Sequence, residues 1–326
     1  MKRFIHFNAR SVEQAVSLLN RFQGRAEFIA GGTDLLGKMK DRILPRYPEA
    51  VINLKTIPGL DFIRSEAEGG VTIGALTRLE DIAAHPLIKE KFTALAQAAG
   101  RTASPHIREM GTLAGNLCQD IRCWYYRTPE NRFPCLRKGG GRCYAIEGDN
   151  RYHSIFGGTV EEGCYAVHPS DTAPALTALQ ARIRTSKRVI AIDDFFEIGV
   201  TKTTALDFDE IVLEIFLPEP GEGCRSAFLK FALRKSIDFP IVNCAVAVTL
   251  KGWRIVQARI CLNAVHVRPY RSIEAEEALL GKPLTDETAE MAGNLAVAGA
   301  RPLKHNAYMV QISRAMVKRT LLSCTS

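Results

Sequence analysis

A chain of 326 residues with 46% hydrophobic and 24% charged side chains is long enough for two or three domains and falls among soluble globular proteins. The formal charge of +8 suits an acidic partner or an anionic ligand, yet the basic residues are spread along the chain. No zinc-finger, helix-turn-helix or aromatic RNA-binding pattern accompanies them, so a nucleic-acid partner is not expected.

The opening MKRFIHFNARSVEQ has basic residues with no continuous apolar stretch behind them. We therefore expect neither a secretory signal nor a membrane anchor, and take the cytoplasm as the expected compartment. Nine cysteines, an odd number, favour metal ligation or buried thiols over a disulfide framework. Cys118, Cys123, Cys135, Cys143 and Cys164 crowd one stretch, whereas Cys224, Cys244, Cys261 and Cys324 are scattered as small core residues.

In chain order, Ser11 with Gln14 predicts a capping box, Val12, Ala15, Leu18 and Leu19 form one apolar helix face, and Gly24 ends it. AEFIA follows as a short strand and turns through Gly31-Gly32-Thr33-Asp34 into a helix start at LLGKMK. AVINL (50 to 54) and VTIGA (71 to 75) predict strands, with helices from about Leu79 and Phe92. From 119 to 163 the periodicity fails and Arg, Gly, Pro, Tyr and Cys dominate, the profile of a long insertion held by something other than a hydrophobic core. DTAPALTALQA then predicts a helix, and RVIAI and EIVLEIFLP strands.

Turn residues cluster at Pro218-Glu219-Pro220-Gly221, which places a domain boundary there: 1–220, with the insertion at 119–166, and 221–326. Beyond it, SAFLKFALRK, VNCAVAVTL and RIVQARICLNAV read as antiparallel strands, the last two joined at Lys251-Gly252. Helical patterns at roughly 272 to 281, 285 to 299 and 306 to 323 complete an α+β domain with helices on one face of a small sheet.

Two glycine segments carry the first chemical signal. Ala30-Gly31-Gly32-Thr33-Asp34-Leu35 and Gly111-Thr112-Leu113-Ala114-Gly115-Asn116 can each turn backbone N–H groups toward an anion with no side chain in the way. Neither is a G-x-G-x-x-G or a P-loop, and a lone Gly-Gly turn between strand and helix is more often a plain connection.

Four motifs in order are more specific than one. FIAGGTDLL, IGALT (73 to 77), REMGTLAGNLC and HPSDTAPAL resemble, in sequence order, the FAD subunits of the xanthine dehydrogenase and carbon monoxide dehydrogenase family. The resemblance covers essentially the whole chain. It implies an α+β fold: a two-subdomain, vanillyl-alcohol oxidase-like (PCMH-type) FAD-binding domain followed by a carbon monoxide dehydrogenase flavoprotein-like C-terminal domain. It further implies that Ala30, Gly31, Gly32, Thr33, Asp34 and Leu35 wrap the FAD pyrophosphate and that Thr112, Gly115 and Asn116 complete a second phosphate loop. Ala75 and Thr77 would flank the cofactor, Asp171 would hydrogen-bond it, Lys230 would lie near the isoalloxazine ring and Val212 would pack against that ring. Without the resemblance, Asp171 reads as a helix N-terminal acid and Lys230 as a solvated strand residue.

The chain departs from simpler members by about forty extra residues after GNLC, bringing Cys123, Cys135, Cys143 and Cys164 at C-x11-C-x7-C-x20-C. By spacing alone, zinc, an iron–sulfur cluster and free thiols all stay open, because close C-x2-C pairs are missing. The insertion resembles that of the flavin subunits of 4-hydroxybenzoyl-CoA reductase and of a bacterial aldehyde oxidoreductase, which implies a [4Fe-4S] cluster on these four thiolates. Arg122, Arg127, Arg132, Arg137, Lys138, Arg142 and Arg151 outnumber Glu130, Glu147 and Asp149 around them, a balance that suits an anionic cluster. Cys118 is assigned to packing beside the flavin loop, His153 and His168 to no metal role, and Trp124, Tyr125 and Tyr126 to shielding the cluster from water.

The expected activity is electron transfer within a molybdenum-dependent oxidoreductase. Its implied partners are a [2Fe-2S] small subunit, a molybdopterin-containing large subunit and an external electron donor or acceptor such as ferredoxin or NAD. A zinc-stapled scaffold subunit without cofactor and a free-standing FAD oxidase are the rival readings.

Overall fold

The computed structural model describes residues 1–158, 163–197, 199–200 and 202–325. The first helix, Val12–Arg21, starts where Ser11 is extended and its Oγ accepts the Gln14 amide at 3.1 Å. The reciprocal half of the capping box is not made, because Gln14 Oε1 accepts from the Arg10 amide instead, at 2.6 Å. Ala15 and Leu19 of this helix share a core with Ala26, Ala50 and Ile52 of a three-stranded parallel sheet. That sheet is ordered Ile5–Asn8, Ala50–Asn53, Ala26–Ile29. Ile5–Asn8 escapes sequence reading because its side chains stay mostly outside the core.

A second, five-stranded antiparallel sheet runs Ile63–Ser65, Val71–Gly74, Val212–Leu217, Arg182–Thr185, Val189–Ala191. It shares a core with helices Leu79–Ala84, Thr93–Gly100 and Thr172–Ala178 through Ile73, Leu79, Ile82, Leu95, Leu176 and Ile215. Phe28 and Ile29 of the first sheet and Val212 of the second line a common cleft, together with the glycine loops.

The third sheet, ordered Tyr270–Arg271, Arg254–Asn263, Val242–Lys251, Cys224–Phe231, is antiparallel. Three helices follow it: Ile273–Leu279, Asp286–Ala296 and Tyr308–Leu322. The three C-terminal helices pack on one face, as expected, and the core of the first domain covers the other. Cys244, Val246 and Val248 pack with the C-terminal helices, while Ala245 and Ala247 face the core of the five-stranded sheet. Successive strand residues point to opposite faces, so burial on both sides explains the unbroken apolar run of VNCAVAV.

The insertion corrects the expectation that it lacks an apolar core. Ile121, Cys123, Tyr126, Cys135, Cys164 and Ala166 form a small core with Ile43, flanked by Leu44, Tyr125 and Tyr144. Aromatic rings and thiols supply here what aliphatic side chains supply elsewhere. The insertion is also clamped at its far end. Ile155 enters the C-terminal core, its amide bonds Val265 O at 3.0 Å, and Asn306 Nδ2 donates to His153 O and Ser154 O.

Candidate functional site: a cleft and a cysteine cavity

Of the fourteen side chains and turns expected to hold cofactor, thirteen line one cleft: Ala30, Gly31, Gly32, Thr33, Asp34, Leu35, Ala75, Thr112, Gly115, Asn116, Asp171, Val212 and Lys230. The cleft encloses about 1870 Å³, solvent at its mouth included. The two glycine loops, some eighty residues apart in sequence, touch. A Cβ at Gly31 would lie 2.3 Å from Met110 O and 3.0 Å from Gly111 Cα, so only glycine allows the first loop to close on the second. Gly32 follows with φ +73°, turning the chain into the helix Leu35–Asp41.

Thr77 is the exception. Its Oγ1 donates to Phe62 O at 3.0 Å and the side chain does not line the cleft. Its backbone nevertheless seats the second loop: Thr77 O accepts from Leu113 N and Ala75 O from Ala114 N. Thr112 caps the helix Leu113–Leu117 by accepting the Gly115 amide at 3.2 Å. Asn116 Oδ1 is taken by Ser170 Oγ and by Thr172 Oγ1 at 2.7 Å, so the amide NH2 is the group it can offer a ligand.

Asp34 lines the cleft, but its carboxylate is committed to the insertion. Oδ1 pairs with Arg122 at 2.9 Å and Arg127 at 2.8 Å, and Oδ2 accepts the Asp120 amide at 2.9 Å. Asp120 pairs with Lys38 at 3.3 Å and accepts the Tyr126 hydroxyl. Burial opposes its charge, yet Lys38, the Tyr126 hydroxyl and Arg127 outweigh burial and hold it down to about 2. The first glycine loop and the insertion are thus tied by charge.

Asp171 and Lys230 form a buried ion pair at 2.7 Å, with side chains 3% and 6% exposed. Lys230 Nζ also donates to Arg101 O, and Asn243 Nδ2 donates to Asp171 Oδ1 at 2.8 Å. Burial raises Asp171 above the usual carboxylate range despite Lys230. Sequence reading missed Lys38, Gln119, Arg122, Ile237 and Phe239 as cleft residues. Phe239 lies under the Arg122 guanidinium at 4.4 Å, a contact between the insertion and the second domain with no local signature.

Cys123, Cys135, Cys143 and Cys164 line a second, smaller cavity together with Tyr125, Tyr126 and Arg137. Cys118 does not; it lines the cleft. Cys123 precedes the helical turn Trp124–Arg127 and Cys135 precedes the turn Leu136–Lys138. Ala166 N donates to Cys164 Sγ at 3.4 Å, and the nearby backbone amides of Tyr125 and Tyr126 at Cys123, and of Arg137 and Lys138 at Cys135, favour the ionised sulfur. Arg137 Nε approaches Cys164 Sγ at 3.4 Å, and His153 Nε2 approaches Cys123 Sγ at 3.2 Å. As isolated thiols Cys123, Cys135 and Cys164 resist ionisation: burial pushes Cys123 to about 12 and raises the other two. Arg137 and Lys138 are each 8% exposed, and neither has a carboxylate ion-pair partner among the described residues. Trp124, expected with Tyr125 and Tyr126 as a shield, is 43% exposed, packs on Tyr152 and does not line the cavity. Among the described residues, no group of three or more His, Cys, Asp or Glu side chains is arranged to hold a metal ion.

Two glycine loops in contact, apolar walls and a buried charge pair line one cleft, an arrangement that suits a nucleotide cofactor. Comparison with known proteins narrows this class. Residues 2–220 match the FAD binding domain in molybdopterin dehydrogenase, and residues 227–324 the CO dehydrogenase flavoprotein C-terminal domain. The FAD-binding subunit of an aldehyde oxidoreductase from Escherichia coli is 34% identical, covering 99% of this chain and 97% of that protein. The FAD subunit of nicotinate dehydrogenase from Eubacterium barkeri is 30% identical over 89% of this chain and 84% of its own. The structure of carbon monoxide dehydrogenase from Hydrogenophaga pseudoflava superposes with a TM-score of 0.78 at 27% identity, covering 99% of this chain and 98% of that one. The chain belongs to the FAD-binding medium subunits of the molybdenum hydroxylase family. It is a component of an oxidoreductase and binds FAD. No helix among the described residues is long and apolar enough to cross a membrane.

Proposed function

We propose that this chain is a cytoplasmic electron-transfer subunit that holds FAD in the cleft and a [4Fe-4S] cluster on Cys123, Cys135, Cys143 and Cys164. Its partners in this reading are a [2Fe-2S] small subunit, a molybdopterin-containing large subunit, and an external donor or acceptor such as ferredoxin or NAD. When bound, FAD supplies exchange of one or two electrons and the cluster exchange of one. The domain of residues 1–220 would carry both groups, and 221–326 would close the cleft over the flavin.

The chain's own residues divide the work. Ala30 to Leu35, Thr112 and Asn116 would present donors to the pyrophosphate, with Gly115, its amide held by Thr112, leaving room for its approach; Ala75 and Val212 would give the ring an apolar wall, and the Lys230–Asp171 pair a fixed charge arrangement beside it. Thr77 acts through its backbone, seating the second loop.

One observation carries the cluster reading. Four cysteines drawn from positions 123 to 164 line one cavity, with backbone amides near three of the sulfurs and two buried cations beside them. Amides and cations at sulfur favour thiolate, which metal ligation requires and which burial alone opposes.

The test is iron, zinc and flavin content of anaerobically purified protein, with the EPR spectrum of the reduced state, for wild type, Cys164→Ser and Cys118→Ser. About four irons and one FAD per chain, with iron lost in Cys164→Ser and kept in Cys118→Ser, is the expected result. Zinc in place of iron would overturn the cluster and favour a zinc-stapled insertion. Substrate turnover by the isolated chain would favour a free-standing oxidase.

A further inference from the structure

We propose that His153 sets the reduction potential of the cluster by donating a hydrogen bond from Nε2 to the Cys123 sulfur. The inference rests on the cluster reading above. His153 is 1% exposed, and Nε2 lies 3.2 Å from Cys123 Sγ. Its backbone is pinned on both sides: the amide donates to Asn150 O at 3.1 Å, and the carbonyl accepts from Asn306 Nδ2 at 2.9 Å. Asn150, itself fully buried, bridges the insertion to the second domain by accepting from His305 N at 2.9 Å. The imidazole is therefore placed by tertiary structure and does not drift onto the sulfur by chance.

The chemistry fixes its tautomer. A metal-bound thiolate has no proton to give, so the ring must supply it, and Nε2 carries the hydrogen. Nδ1, which has no partner among the described residues, is then a bare acceptor, and an unpaired acceptor is tolerated better than an unpaired buried N–H. A neutral donor polarises the sulfur without adding charge, unlike Arg137 at Cys164. Each electron that enters a cluster increases the negative charge on its sulfurs, so an N–H···S bond is stronger in the reduced state and raises the potential. His153 is thus a positioning and tuning residue, not a ligand.

The experiment uses the whole complex, purified anaerobically, as wild type, His153→Phe and His153→Gln. Iron content is measured beside the cluster's midpoint potential in an EPR-monitored redox titration. With iron retained, His153→Phe is expected to weaken reduction by roughly tenfold, or about 59 mV to more negative potential for one electron. His153→Gln, whose amide can donate, should recover part of the shift. An unchanged midpoint in an iron-replete His153→Phe protein overturns the inference and leaves the cluster reading intact. Wild type without iron overturns the cluster reading itself. Pulsed EPR on wild type carrying 15N-histidine reads the bond with no substitution: a weak 15N coupling to the reduced cluster supports it. Either no coupling, or the strong coupling of a direct ligand, sinks it.

Discussion

Replacing Lys230 by methionine keeps the length and apolar stem of the side chain and removes only its charge. In the native structure Asp171 is 3% exposed; its Oδ2 is held by Lys230 at 2.7 Å and its Oδ1 by Asn243 at 2.8 Å. Lys230→Met therefore leaves a buried carboxylate with one neutral donor, a change that costs about 3–5 kcal/mol. With an unfolding entropy of about 2.1 cal/mol/K per residue, the chain's length converts this to a fall in Tm of roughly 4–7 °C. The assay is thermal unfolding of protein freed of flavin, so that the ligand's own stabilisation does not enter. Asp171→Asn combined with Lys230→Met should cost less than the two single changes added together, because the double variant buries no charge. A loss below about 1 kcal/mol for Lys230→Met, or strict additivity in the double variant, would show that the pair is not electrostatically isolated and refute the reasoning.

Gly31→Ala places a methyl 2.3 Å from Met110 O and must push the two glycine loops apart, whereas Gly37 has open space around it. Overpacking of about 1–3 kcal/mol predicts FAD binding weakened roughly 5- to 150-fold for Gly31→Ala and unchanged for Gly37→Ala. Titration of flavin fluorescence decides it, and equal affinity in the two variants would remove the close-approach argument. His168 is fully buried with Nε2 toward Leu117 O at 3.3 Å, and burial holds it down to about 4. A lowered folded value means that the unfolded chain binds more protons between about pH 6.5 and 4. The stability contributed by neutral His168 is therefore present above that window and lost on acidification through it, by about 3 kcal/mol for a shift of this size. Urea midpoints at pH 7.5 and 4.5 should converge in His168→Gln relative to wild type; parallel loss in both proteins would locate the acid lability elsewhere.

Local order was legible wherever one face of an element is buried and the other is wet. Val12–Arg21, Ala50–Asn53, Val71–Gly74 and the three C-terminal helices fall where periodicity and caps place them, since the core enforces the pattern. Ile5–Asn8 and Ile63–Ser65 are too short and exposed to leave one. The two glycine loops and the cysteine spacing were visible as motifs, because backbone conformation and thiol chemistry restrict residue type at those positions. By itself the sequence determined the α+β class, the FAD-binding family and which loops and thiols to suspect. Only tertiary structure decided that Gly31 abuts Met110, that Thr77 turns away from the cleft, that Asp34 binds the insertion, that Lys230 meets Asp171 and that His153 faces Cys123. Each of these is a contact between residues thirty or more positions apart or a choice among rotamers. Such contacts depend on how elements dock, and a single sequence leaves no periodic or compositional trace of that.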